Sequence, residues 1–126
     1  MEQQDKDLMM RDLCSHLPYG VRVEYQGEMN STIYDVLGLA HGRVVLCLPF
    51  MSNTSCPLVE EVKPYLFPMS SMTEEQEREI VSITYSNHND MVIASLTIDW
   101  LNKNHFDYRG LIDKGLAIDA TGLNIY

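Results

Sequence analysis

At 126 residues the chain has the length of one domain, 1–126, long enough to bury a core without disulfides, metal or an obligatory partner. Its hydrophobic and charged fractions, 45% and 21%, are those of a globular protein and argue against disorder beyond the termini. With 18 acidic against 9 basic residues the formal charge is -9, which disfavours nonspecific attraction to DNA, RNA or an anionic membrane surface and favours a cationic partner.

From Asp5 to Leu17 the residues Met10, Leu13, Cys14 and Leu17 recur at i, i+3, i+4 and i+7, which predicts a helix with these four on its buried face. Pro18-Tyr19-Gly20 ends it. Val21 to Tyr25 alternates with period two and predicts a strand with one solvated face. Gln26-Gly27-Glu28 supplies a turn, and a second extended run from Asn30 to Ala40 is interrupted at Gly38, where a bulge or a close backbone approach is expected. His41-Gly42 permits a tight hairpin into the continuous apolar run Arg43 to Leu48, the expected centre of an antiparallel meander.

Pro49 to Pro57 reads as a loop, and Leu58 to Phe67 resumes an extended pattern in which Pro64 restricts the segment to an edge strand or a strand end. Ser71 and Thr73 are both competent helix caps, with Glu74 and Gln76 as their reciprocal partners. Glu74, Glu75 and Glu77 then occupy a first turn whose dipole favours negative charge. This helix is expected to reach about Tyr85, with Ile80, Val81 and Thr84 inward, before Ser86 to Asp90 breaks it. From Met91 to Asn104 the spacing of Ile93, Leu96, Trp100 and Leu101 favours a second helix, with a strand over Met91 to Ile98 as the alternative. The tail from Phe106 to Ile118 has glycines at two turns and is expected to wrap back onto the body. The fold class is therefore α+β: an N-terminal helix, a meander of three to four strands, two helices and a wrapping tail.

Motifs that carry chemistry are sparse. The sequence has no Gly-rich phosphate loop, G-x-S-x-G elbow, H-E-x-x-H helix or zinc-type cysteine pattern. His88/Asp90 and His105/Asp107 form two H-x-D pairs, which can bind a divalent metal but also arise in loops and helix caps. Cys14, Cys47 and Cys56 form no C-x-x-C spacing and suggest reduced thiols in a cytoplasmic compartment; Cys14 and Cys47 are expected to be buried, and Cys56 lies beside Glu60 and Glu61, which disfavour a thiolate. The polar, acidic N-terminus has neither a basic n-region nor an apolar h-region, and no stretch approaches ~20 apolar residues, so secretion and membrane insertion are not expected. No catalytic residue, cofactor or metal ligand is assigned. Aromatic residues and Arg are the groups that anchor interfaces, and on that ground Tyr65, Phe67, Tyr108 and Arg109 are the candidate contact surface. The alternative for these four is ordinary packing of two extended segments, with Arg109 paired to a nearby carboxylate such as Asp107 or Asp113.

Two blocks, Lys63-Pro64-Tyr65-Leu66-Phe67-Pro68-Met69-Ser70-Ser71-Met72-Thr73-Glu74-Glu75 and Phe106-Asp107-Tyr108-Arg109-Gly110-Leu111-Ile112 followed by Lys114-Gly115-Leu116-Ala117, carry a resemblance. They resemble a group of small proteins of gut bacteria and their phages and prophages, which share a K-P-Y-L-x-P-x-S-S-M-T-E-E block and a D-Y-R-G-L-I close. The resemblance covers about the second half of the chain. Members of the group tend to have a basic residue where this chain has Phe67, so a role for charge there does not carry over. No activity, cofactor or catalytic residue comes with that group; what the resemblance implies is a bacterial cytoplasmic protein linked to mobile DNA. The expected function is a non-catalytic accessory protein that binds a protein partner. An acidic mimic of nucleic acid, acting on a host DNA-binding protein, and a small metal-dependent hydrolase are the alternatives. The two blocks are expected to touch.

Overall fold

Alternating apolar and polar residues commit the middle of the chain to a sheet, and what lies on each side of it follows from which residues alternate inward. The computed structural model describes residues 1–25, 33–48 and 54–126. Among these, six strands form one mixed sheet: β1 (Arg22–Glu24), β2 (Ile33–Ala40), β3 (Arg43–Cys47), β4 (Thr54–Ser55), β5 (Lys63–Leu66) and β6 (Ile118–Asp119). Their order is β4-β3-β2-β1-β5-β6. Three helices, α1 (Gln3–His16), α2 (Glu74–Thr84) and α3 (Asp90–Lys103), complete an α+β fold. The expected turn at Gln26-Gly27-Glu28, the start of the second extended run at 30–32 and residues 49–53 of the expected loop lie outside the described residues.

Both central residues of the β2–β3 hairpin, His41 and Gly42, have positive φ, at 51° and 76°, the signature of a primed turn whose twist matches the flanking strands. The expected bulge falls at Gly38: Val36 pairs with Leu46 and Gly38 with Val45, leaving Leu37 as the extra, exposed residue. One face of the sheet buries Val21, Val23, Tyr34, Val36, Val44 and Leu46 against Met9 and Leu13 of α1 and against Leu111 and Leu116 of the tail. The other carries a smaller cluster of Tyr65, Ala120 and Ile125.

The structure corrects the expected sheet centre and the expected face of α1, and decides between the alternatives for Pro64. The β3 run is not the centre of the sheet; the added strands β5 and β6 move the middle to β1 and β2. Of the two placements open to Pro64 the strand end holds: it is the second residue of β5, which is not an edge strand, and β6 pairs with β5 in parallel through Tyr65 and Leu66, beyond the proline, whose missing N–H therefore breaks no bond to β6. On α1 the buried residues are Met9, Asp12, Leu13 and His16, not the stripe of Met10, Leu13, Cys14 and Leu17, and Cys14 is exposed. The true stripe contains two ionisable residues, so a search for apolar periodicity settles one residue too far along.

The α2 start is built as its sequence specifies. The Thr73 hydroxyl accepts from Gln76 N–H at 3.2 Å while the Gln76 side chain accepts from Thr73 N–H at 2.9 Å. Ser71 instead closes a preceding 3-10 turn, Met69–Ser71, donating to the Pro68 carbonyl. Inward on α2 are Ile80 and Ile83, half-buried, whereas Val81 and Thr84 face out. Met91 to Ile98 is helical, with Asn89 as the cap of α3. No helix among the described residues is long and apolar enough to cross a membrane. Replacing Thr73 by Ala removes one cap and its reciprocal bond, and should lower the unfolding free energy by about 1 kcal/mol in a urea titration. Leu66→Ala, at a fully buried strand position, should lower it by roughly 2–5 kcal/mol.

Candidate functional site: the aromatic corner and the overhanging helix

The two sequence blocks meet. Phe67 N–H donates to the His105 carbonyl and Asp107 N–H to the Phe67 carbonyl, both at 2.8 Å, so the end of β5 and the start of the tail form one short parallel bridge. The turn that delivers the tail is a Schellman-type end to α3: Phe106 N–H bonds the Leu101 carbonyl and His105 N–H the Asn102 carbonyl. That geometry needs a left-handed residue, and His105 supplies it at φ 61°. Asp107 then accepts from Leu111 N–H at 2.8 Å and Ile112 N–H at 2.9 Å, which seats Leu111 in the core.

Beneath this corner lies a series of polar groups joining α1, α3 and the tail. Arg109 donates to Asp12 Oδ1 at 3.1 Å and to Ser15 Oγ at 3.3 Å, and its guanidinium lies 4.8 Å from the centre of the Tyr108 ring. Tyr108 donates to Asn102 Oδ1 at 2.8 Å. The Asn102 carbonyl lies 3.1 Å from His16 Nδ1, which must carry the hydrogen there. His16 Nε2 lies 3.5 Å from Asp12 Oδ1, an ion pair when the imidazole is protonated and not a hydrogen bond when it is neutral. Asp12 and His16 are wholly buried, and Asp12 Oδ2, His16 Nε2 and His105 Nδ1 have no hydrogen-bond partner among the described residues.

An unbroken series of rings runs through the same region. Trp100 stacks on Phe106 at 5.6 Å, Phe106 meets Phe67 at 6.3 Å and Phe67 meets Tyr126 at 6.1 Å. Tyr126 stacks face to face on His105 at 3.7 Å, and His105 lies 6.0 Å from His16. Burial, with the neighbouring His16 as the smaller cause, holds the His105 imidazole far below the ordinary histidine range, at about 4. Burial also pushes the Tyr126 phenol up; its oxygen accepts from Arg22 N–H at 3.0 Å and donates to the Tyr65 carbonyl at 2.8 Å.

Of the four candidate contact residues, then, Tyr65 is 5% exposed and packs in the smaller core, whereas Phe67, Tyr108 and Arg109 are half-buried and keep an outer edge. The structure brings Tyr108 and Arg109 together and ties both to α1 and α3. The H-x-D pairs do not converge: His88 is exposed in the turn before α3, Asp90 is exposed as its first residue, and Asp107 is engaged by the tail backbone. Among the described residues no group of three His, Cys, Asp or Glu side chains is placed to hold a metal ion. The polar series contains groups able to move protons, but Asp12 and His16 have no exposed surface, so their chemistry is that of a buried joint.

The exposed apolar surface lies elsewhere, on α3. Its inner line, Ile93, Thr97 and Trp100, faces α2, where Trp100 Nε1 donates to Glu79 at 2.8 Å. On the opposite line Leu101 and Asn102 are buried against the body, but Met91, Ala94, Ser95 and Ile98 overhang it and are exposed, Met91 at 84%. Tyr85, at the tip of the α2–α3 hairpin, is 83% exposed. Sequence periodicity reads such a stripe as core; the signal it misses is the absence of any ionisable side chain from Met91 through Ile98, which leaves α3 apolar nearly all round. Comparison of the chain with protein-family models, curated proteins and solved structures finds no match.

Two measurements test the corner. Arg109→Met strands the Asp12 carboxylate and should cost about 3–5 kcal/mol of stability, much of it recovered when Asp12→Asn is added. As pH falls the unfolded chain protonates its histidine near 6.5, but folded His105 does so only near 4, so the stability that its neutral form provides is complete above about 6.5 and is lost towards 4. That loss should amount to about 1–3 kcal/mol. His105→Asn, which tolerates the left-handed backbone, should flatten the slope of melting temperature against pH in that window.

Proposed function

We propose that the protein acts by binding another polypeptide, as an accessory protein of the phage or prophage type, and that its contact surface is the α2–α3 hairpin. The observation that carries this reading is the overhang of α3: two helical turns without a charged side chain, exposed on a chain of net charge -9. A helix apolar on nearly every side is stable in water only when those sides are covered, and α2 with the body covers about half of this one. Tyr108 and Arg109, at the foot of α3, supply a polar rim of the kind that surrounds such patches.

Affinity capture from a bacterial cytoplasm, with variants chosen to separate contact from packing, tests the reading. Met91→Asp with Ile98→Asp should abolish capture of the partner while leaving helical circular dichroism unchanged. Tyr65→Ala and Arg109→Ala should lower the melting temperature and keep the captured partner. If the helix variant retains every captured protein, the hairpin is not the contact surface.

A further inference from the structure

We infer that the polypeptide covering the overhang of α3 is a second copy of this chain, docked antiparallel through Met91, Ala94, Ser95 and Ile98; the inference rests on the reading of α3 as the contact surface. These four positions, at i, i+3, i+4 and i+7, form one stripe pointing away from the inner line of Ile93, Thr97 and Trp100. The stripe is a palindrome in size, with a large residue at each end and two small ones at the centre. A two-fold axis passing between Ala94 and Ser95 sets Met91 of one copy against Ile98 of the other, and Ala94 against Ser95. The small central pair lets the helix axes approach to the ~8 Å end of the usual range, and the large end residues fill the space on either side. Self-complementarity of this kind is what an isologous interface requires, and a foreign partner would not impose it.

Charge points the same way. Two copies at net charge -9 repel, so a stable contact between them must keep carboxylates out of its centre. α2 fails that condition, with Glu74, Glu75, Glu77 and Glu79 on its first turns. The stripe on α3 meets it: the nearest ionisable groups on the helix, Asp90 and Asp99, fall on the stripe's two flanks. A cationic partner, which the overall charge would favour, gains nothing from this uncharged face. Area sets the strength of the contact: Tyr85, Met91 and Ile98 together expose on the order of 400 Å², about half of the ~800 Å² per partner of a standard interface, which fits a weak, reversible dimer.

Sedimentation equilibrium of the full chain tests the proposal. Wild type should be dimeric at about 100 µM. Ile98→Glu and Met91→Lys should each weaken self-association by at least about 30-fold, the loss expected at an interface hot spot, with helical circular dichroism unchanged. Because the antiparallel register pairs position 91 with position 98, the double variant Met91→Lys/Ile98→Glu should regain the dimer, in a salt-sensitive form. A monomeric wild type, an Ile98→Glu variant that stays dimeric, or a double variant no better than either single one overturns the inference. A monomeric wild type whose Ile98→Glu variant nonetheless loses a captured host protein would sink the second copy as occupant while leaving the contact surface in place. If the wild type is monomeric and capture is also unaffected, both fall.

Discussion

Everything around the corner depends on one buried charge. Asp12 sits without exposed surface in the middle of α1, where an unpaired carboxylate would be intolerable, and Arg109 is the cation that makes it tolerable. Meeting that requirement fixes three things at once. It sets the rotation of α1 over the sheet, it draws the tail back across the end of α3, and through Tyr108, Asn102 and His16 it fixes the foot of α3. Apolar packing alone would hold these elements near one another; the polar series selects one mutual arrangement, because a slip of any member leaves a buried donor or acceptor bare.

The ring series does related work on the other side of the joint. Tyr126 lies between Phe67 and His105, and its phenol bridges Arg22 of β1 and Tyr65 of β5. One side chain thus couples the sheet, the end of α3 and the tail. The neutral state of His105 belongs to the same packing: a charged imidazole would have to sit against a buried aromatic face and a second histidine. Because both protonation and a left-handed backbone are fixed at this one residue, the turn after α3 carries more constraint than its exposed surroundings suggest.

The sequence made the local elements legible wherever a short-range rule governs. The primed turn at His41-Gly42, the bulge at Gly38 and the capping box at Thr73 all follow from neighbours within four residues. It failed where the deciding contact is distant. Nothing near Pro64 announces that Ile118 and Asp119 will pair beside it, so the local sequence leaves edge strand and strand end both open there, and nothing near Asp12 announces Arg109, so apolar periodicity places the α1 stripe one residue too far. The four residues singled out for contact were chosen by type, and type alone does not separate Tyr65, which the core absorbs, from Tyr108 and Arg109, which keep an outer edge. Periodicity identified α3 but could not say that half of its apolar surface would find no cover within the chain.

The bridge between Phe67 and Phe106 has a consequence for how this molecule can vary. The chain leaves the sheet at Phe67, builds both later helices, and returns at Phe106 to a point one hydrogen bond away. The helical hairpin is therefore an excursion whose exit and re-entry coincide, clamped at its base like a loop of thread drawn through a single stitch. Strands β1 to β3 and their core do not depend on how far the excursion reaches. Its outer turns can lengthen, shorten or change their surface while the stitch holds, so surface variation and fold are carried by separable parts of one small chain.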